Sequence, residues 1–322
     1  MRNPSIELFR YVFAFLVVFI HVPLLHGGML LMPLARCAVP FFYLISGFFL
    51  AKKTCNVDLI PFMPTAKKWI LMWGKYFVVF AIIGVLIDWY CGNITYPNIK
   101  DFASLVLTGQ CMYVDEHIVA THKLGLLTLW FLYEGALAFA LIYVLRKNLY
   151  SKVMLIVVMA VQLVAAIFVH KGITTWLFPY SSFPFLYYGM WLGWKDKTHH
   201  IVKKKMLLIA ACFLYILGMV EYKCFGDVVF VNLPFSVMIF MLITSSGAEK
   251  ILRRFAPPIL LGILQKSTPV TLDIYIWHRL VYVLIMLLGI DCYGMDAIMV
   301  FVITLLASCA IRYCLKINII KK

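Results

Sequence analysis

The sequence predicts an all-α membrane protein: a polytopic helix bundle of about ten transmembrane helices with both termini on the cytosolic side. Three observations predict it. The 322 residues are 64% hydrophobic and only 13% charged, whereas an ordinary soluble domain is about a quarter charged. The apolar residues gather into ten runs, each close to the ~20 residues that cross a bilayer as a helix. The cations between those runs fall almost entirely on one side.

Taken in order, the predicted helices lie near 6–25, 34–51, 69–90, 124–145, 153–170, 173–194, 206–224, 228–246, 270–289 and 295–314. Each is apolar and is bounded by charged or turn-forming residues. Pro40 distorts the second, and Ser46-Gly47 give it small residues for close helix approach. Pro179 and Pro184 interrupt the sixth, which predicts a kinked or broken helix. The first run meets His21 and Pro23 and has no small-residue cleavage site, so it reads as a retained span and not as a signal peptide.

Placing the N-terminus inside puts 23 of the 29 Lys and Arg on the cytosolic side. Only Lys100, Lys123, Lys171 and Lys223 fall outside, with Arg36 and Arg279 within spans. That asymmetry sets N-in and C-in, and an even number of spans agrees. The net charge of +15 therefore reflects membrane orientation and does not call for a nucleic-acid partner. The whole chain, 1–322, reads as a single integral-membrane domain with no soluble domain appended. Its longest outer segment, 91–123, looks like a substrate-facing cap or a partly re-entrant loop.

The nine cysteines show no C-x-x-C and no metal-type spacing with His, so no metal site is expected. Cys37, Cys212 and Cys309 lie in apolar runs and read as small hydrophobes. Cys91 and Cys111 are spaced so that a disulfide across the outer loop is an open alternative.

The candidate site residues are the polar groups inside apolar runs, since each is costly there unless it lines a cavity or is paired. Arg10 and His21 bracket the first span. Eleven residues turn a helix through about 1100°, so the two share one face about 16 Å apart along the axis. For Arg10 alone, snorkelling to lipid phosphates competes with a functional role. His21 is deeper, and its rival reading is a helix–helix hydrogen bond. Arg36 opens the second span as an interfacial anchor or an outer-side substrate contact. Lys67, Lys68 and Lys75 stand at the inner mouth of the third, as ordinary inward-lying cations or as a phosphate grip. Glu134, beside Trp130 in the fourth span, must be protonated, paired or solvated. The ninth span concentrates Asp273, Tyr275, His278 and Arg279. Tyr275 and Arg279 are one turn apart and suit an internal pair, while His278 adds a second intramembrane imidazole suited to acid–base work on a hydroxyl. The remaining histidines sit in loops or at interfaces and read as surface groups.

With these stretches assembled, the chain resembles acyltransferase family 3, the integral-membrane acyltransferases of bacterial envelope glycans, in its stand-alone form without an extracytoplasmic hydrolase-like domain. The matching features are Arg10 and His21 at their offset, Arg36 with VPFFYLISGFFL, the Lys67-Lys68 run, LWFLYEG around Trp130, FPFLYYGMWLG around Gly189 and Gly193, and IYIWHRL around His278. Lys67 and Lys68 stand where the family often has arginines, and QKSTPVTLDIY differs from its commoner short Gly-Lys-Ser lead.

The resemblance implies a bacterial inner-membrane O-acyltransferase. It would move an acyl group, usually acetyl, from cytosolic acyl-CoA to a glycan or lipid-linked sugar, with acyl-CoA as donor substrate and no permanently bound cofactor. By position, His21 is the essential histidine and Arg10 its companion. CoA would dock against Lys67, Lys68, Lys75 and Arg10, with Glu134 or His278 assisting His21. Arg36, Trp130 and Tyr275 would contact substrate. The polar groups of spans one, four and nine are expected to converge on one hollow open to the cell interior. A transporter or flippase for a lipid-linked or anionic sugar is the rival reading, against which no inverted repeat is visible. Acceptor, acyl group and oligomeric state stay open.

Overall fold

The computed structural model describes residues 3–22, 28–54, 62–90, 130–170, 182–194, 204–258, 262, 268–290 and 295–320. All regular structure among them is helical. In chain order the helices are α1 Pro4–His21, α2 Gly28–Arg36, α3 Ala38–Thr54, α4 Phe62–Tyr90, α5 Trp130–Val144 and α6 Lys152–His170. There follow α7 Phe183–Trp194, α8 Lys204–Phe225, α9 Asn232–Thr244, α10 Ser246–Phe255, α11 Thr268–Leu287 and α12 Asp296–Ile320. Every apolar run of the sequence overlaps one of these helices; α2, which touches only the start of the second run, and α10 are additions to the ten.

Among the described residues, four stretches are long and apolar enough to cross a membrane: Pro4–His21, Leu30–Lys53, Lys205–Phe225 and Asp296–Cys314. A fifth is reached if α9 and α10, bent by 56° from each other, count as one broken span. Several predicted spans are represented by shorter helices, such as the 12 residues of α7. There Pro184 lies in the first turn, where its missing N–H costs nothing. Pro179, like Cys91, Cys111 and the whole of the long outer segment 91–123, falls outside the described residues.

The helices form two compact units. The first joins residues 1–39 to 201–322. Its centre is α1, which packs against α2, α9, α10, α11 and α12. Asn3 caps α1 by accepting from the Ser5 amide at 2.9 Å, and Pro4 occupies the first turn, both ordinary devices for starting a helix. Phe13, Ala14, Val17 and Val18 are almost fully buried along it. Phe15 meets Phe301 of α12 edge-on at 5.4 Å.

At the other end of this unit, α8 turns into α9 through Gly226, whose φ of +74° suits glycine. The buried Glu221 carboxylate accepts from the amides of Val229, Phe230 and Val231 at 2.8, 2.7 and 3.0 Å. Those are the amides leading into α9, so one side chain satisfies donors that would otherwise be orphaned in an apolar setting. Tyr215 of α8 donates to the Leu30 carbonyl at 2.6 Å, tying α8 to α2.

The second unit spans residues 40–200. Its core is an aromatic cluster of Tyr43, Trp73, Phe131 and Phe139 at ring separations near 5–6 Å. The Tyr43 hydroxyl donates to the Phe131 carbonyl at 2.8 Å. α3 and α7 touch backbone to backbone. A Cβ on Gly47 would lie 2.0 Å from the Leu186 carbonyl oxygen, and one on Gly189 would lie 2.1 Å from that of Leu44. Gly193 makes a third close approach, to Phe48. This is the small-residue packing that Ser46-Gly47 predicted, with α7 as the partner.

Candidate active site

α1 ends at His21, short of the residue 25 that the apolar run predicted. Val22 precedes Pro23 and is extended (φ −128°, ψ 127°), the conformation that a following proline enforces. The last α1 carbonyls then lack intrahelical donors. The Arg279 guanidinium of α11 supplies one, donating from Nη1 to the His21 carbonyl at 2.9 Å. A cation at a helix C-terminus also meets the negative end of the helix dipole. Arg279 is only 8% exposed, so this contact is sheltered from water, and its guanidinium also lies 5.8 Å from the Tyr282 ring.

That anchor places the His21 ring 5.5 Å from the ring of His278, with 30° between their planes. His278 is fully buried. Its Nδ1 lies 2.7 Å from the Tyr275 carbonyl and 3.1 Å from that of Ile274. A carbonyl only accepts, so Nδ1 is the protonated nitrogen. In the neutral ring Nε2 then carries the lone pair, and it has no hydrogen-bond partner among the described residues. A buried imidazole with one nitrogen committed to the backbone and the other presenting a lone pair is placed to take a hydrogen bond or a proton from a substrate hydroxyl. Tyr275, also buried, presents its ring edge-on to His278 at 6.1 Å.

Among the described residues, Arg36 and Arg279 lie near enough to His21 for their charges to act on it. Arg36 forms an ion pair with Asp227 at 2.9 Å. Asp227 lies in the turn that Glu221 holds, so the acid at the α8–α9 turn fixes the arginine that opens the second span. Arg10 is mostly buried and lies 3.8 Å from Glu7, one turn earlier on α1. Glu7 was not singled out from the sequence, although its three-residue offset from Arg10 was a signal for it. Asp273 pairs with Arg312 of α12 through two hydrogen bonds, Nη2 to Oδ1 at 2.8 Å and Nε to Oδ2. Hydropathy placed Arg312 among inward-lying cations and gave no sign of that partner.

The other predicted residues lie in the second unit. Glu134 is fully buried on α5, beside Gly135, where a Cβ would overlap the Trp73 indole. Trp130 is the first residue of α5. Lys67, Lys68 and Lys75 are exposed along α4. The first unit thus brings together His21, His278, Tyr275, Arg279 and Arg36, and the second carries Glu134, Trp130 and the three lysines.

Cys37 donates to the Pro33 carbonyl at 3.3 Å, as a small buried side chain does. No group of three or more His, Cys, Asp or Glu among the described residues has the arrangement of a metal site.

Against known proteins, residues 3–314 match the family model described as an acyltransferase domain. No curated protein and no solved structure matches the chain.

Proposed function

This chain belongs to acyltransferase family 3, and from that premise we propose that it moves an acyl group, acetyl in the simplest case, from cytosolic acyl-CoA to a hydroxyl of a cell-envelope glycan or lipid-linked sugar. The family and the long apolar helices make it a multi-pass membrane acyltransferase. In this reading it sits in a bacterial cytoplasmic membrane, crosses about ten times and keeps both termini inside.

The observation that carries the proposal is the His21–His278 pair, with rings 5.5 Å apart and the His278 tautomer held by two backbone carbonyls. The acceptor hydroxyl gives its proton to His21 as its oxygen attacks the thioester carbonyl. The tetrahedral intermediate collapses, the C–S bond breaks, and the proton passes to the departing CoA thiolate. The products are an ester and CoA thiol. His278 holds or relays that proton, and a nearby cation, Arg36, steadies the oxyanion. A transient acyl-histidine would use the same residues in two steps. Arg10, Lys67, Lys68 and Lys75 serve the CoA phosphates as point or forked charges, Glu134 assists the proton transfer, and Trp130, Tyr275 and Arg36 contact the substrates.

The test is transfer from radiolabelled acetyl-CoA by the purified chain in vesicles that contain envelope glycolipid. Wild type consumes the thioester, and a folded His21→Ala variant does not. Full turnover by that variant would remove the assigned role. Sugar movement across the vesicle without thioester consumption would make the protein a transporter instead. Mass spectrometry of envelope glycans from a deletion strain then identifies the acceptor.

A further inference from the structure

α10 does not resemble the other helices. Its ten residues, SGAEKILRRF, carry four charges, and it turns 56° away from α9. Ser245 caps its N-terminus, its side chain accepting from the Ala248 amide, so the bend is a built helix start. At 100° per residue Ile251, Phe255, Ala248 and Leu252 share an arc of about 100°, and Arg254 and Lys250 lie along the Ile251 side of it. Ala248 and Leu252 are half-buried, on a helix that packs against α1 and α9. Ile251 and Phe255, by contrast, are 62% and 76% exposed. Lys250 and Arg254 are exposed next to them, and the Arg254 guanidinium lies 5.7 Å from the Phe255 ring. Arg253 is engaged by Glu249 at 2.8 Å.

We propose that α10 is an interfacial helix that binds anionic phospholipid, with Ile251 and Phe255 at the acyl-chain boundary and Lys250 and Arg254 on the headgroup phosphates. A short helix with an open apolar stripe bordered by cations suits the plane of the headgroups, where the apolar side chains leave water and the ammonium and guanidinium groups meet negative charge. Charge complementarity selects the occupant: Lys250 and Arg254, without an ion-pair partner among the described residues, call for an anion, and the bordering Ile and Phe call for that anion to be attached to hydrocarbon. α10 also packs on α1, the helix that ends at His21.

The test uses the full chain in vesicles of phosphatidylcholine containing about a third phosphatidylglycerol, with spin-labelled lipids reporting which headgroup is held at the protein surface. Wild type should immobilise phosphatidylglycerol in preference to phosphatidylcholine. Lys250→Gln/Arg254→Gln should lower that preference by about two-fold or more, and the control Lys147→Gln/Lys152→Gln, which removes two exposed cations elsewhere, should not. A nitroxide attached at Phe255→Cys should be quenched by oxygen in preference to a water-soluble nickel chelate. An unchanged lipid preference in the first variant, an equal loss in the control, or a water-accessible label would each overturn the proposal. So would a raised KM for acyl-CoA in the first variant with lipid preference intact, which would assign these cations to CoA phosphates.

Discussion

Arg279 donates to the main-chain carbonyl of His21 across 258 residues of sequence, and its neighbour His278 sets its ring beside that of His21. One turn of α11 thus fixes both the backbone and the chemical environment of the histidine that ends α1. The arginine's hydrogen bond to His21 is to the main-chain carbonyl, which makes it a positioning residue.

Replacing Arg279 therefore separates position from chemistry. Arg279→Gln should leave the chain folded and lower kcat by about 10²-fold, the penalty typical of a catalytic group displaced by an ångström. Arg279→Lys should recover part of the loss, because an ammonium still donates to the carbonyl but lacks the planar fork. Steady-state kinetics on reconstituted protein check both, and equal activity of all three would show that the cap does not position His21.

His278→Asn tests the free nitrogen. The Asn amide can still donate to the Tyr275 or Ile274 carbonyl, as Nδ1 does now, but nothing replaces Nε2. Thermal stability should stay close to wild type, while acyl transfer falls by about 10²- to 10⁴-fold, the usual worth of a general base or proton relay. Transfer at the wild-type rate would confine His278 to a structural role.

Glu221→Gln tests the turn that holds Asp227 against Arg36. The amide keeps the shape and loses both the charge and one acceptor oxygen, so at least one of the three amides of residues 229–231 is left unsatisfied. Destabilisation of about 2 kcal/mol is expected, read as a lower unfolding midpoint in detergent. An unchanged midpoint would mean that water replaces the carboxylate.

Two glycines give opposite expectations. Gly189→Ala places a methyl group 2.1 Å from the Leu44 carbonyl oxygen, so α3 and α7 must separate, at a cost of about 1–3 kcal/mol. Gly74→Ala, with no described atom within 4 Å of the new Cβ, should be neutral or stabilise α4 by up to about 1 kcal/mol. Thermal unfolding of the two variants side by side checks the pair.

The helices were legible because a bilayer tolerates few chain conformations: apolar runs of sufficient length must satisfy their own backbone, and helices do so. The helix α10 was missed because its residues are too charged for a hydropathy window. His21 and His278 were legible as polar groups set in apolar sequence, and so were Arg36 and Glu134. Glu7 was passed over since it lies near a helix start, where acidic residues are ordinary. Arg312 was passed over because it resembles any inward-lying cation.

By itself the sequence determined that this is a helical membrane protein, where its apolar segments lie, and that its order of motifs resembles that of acyltransferase family 3. Each follows from residue type and local spacing. Tertiary structure alone decided that Arg279 caps His21, that Asp273 answers Arg312, and that Glu221 serves the start of α9. A buried polar group in an apolar bundle must find a partner, but which partner depends on how one helix is rotated and shifted against the next. That register is set by packing between segments far apart in the chain.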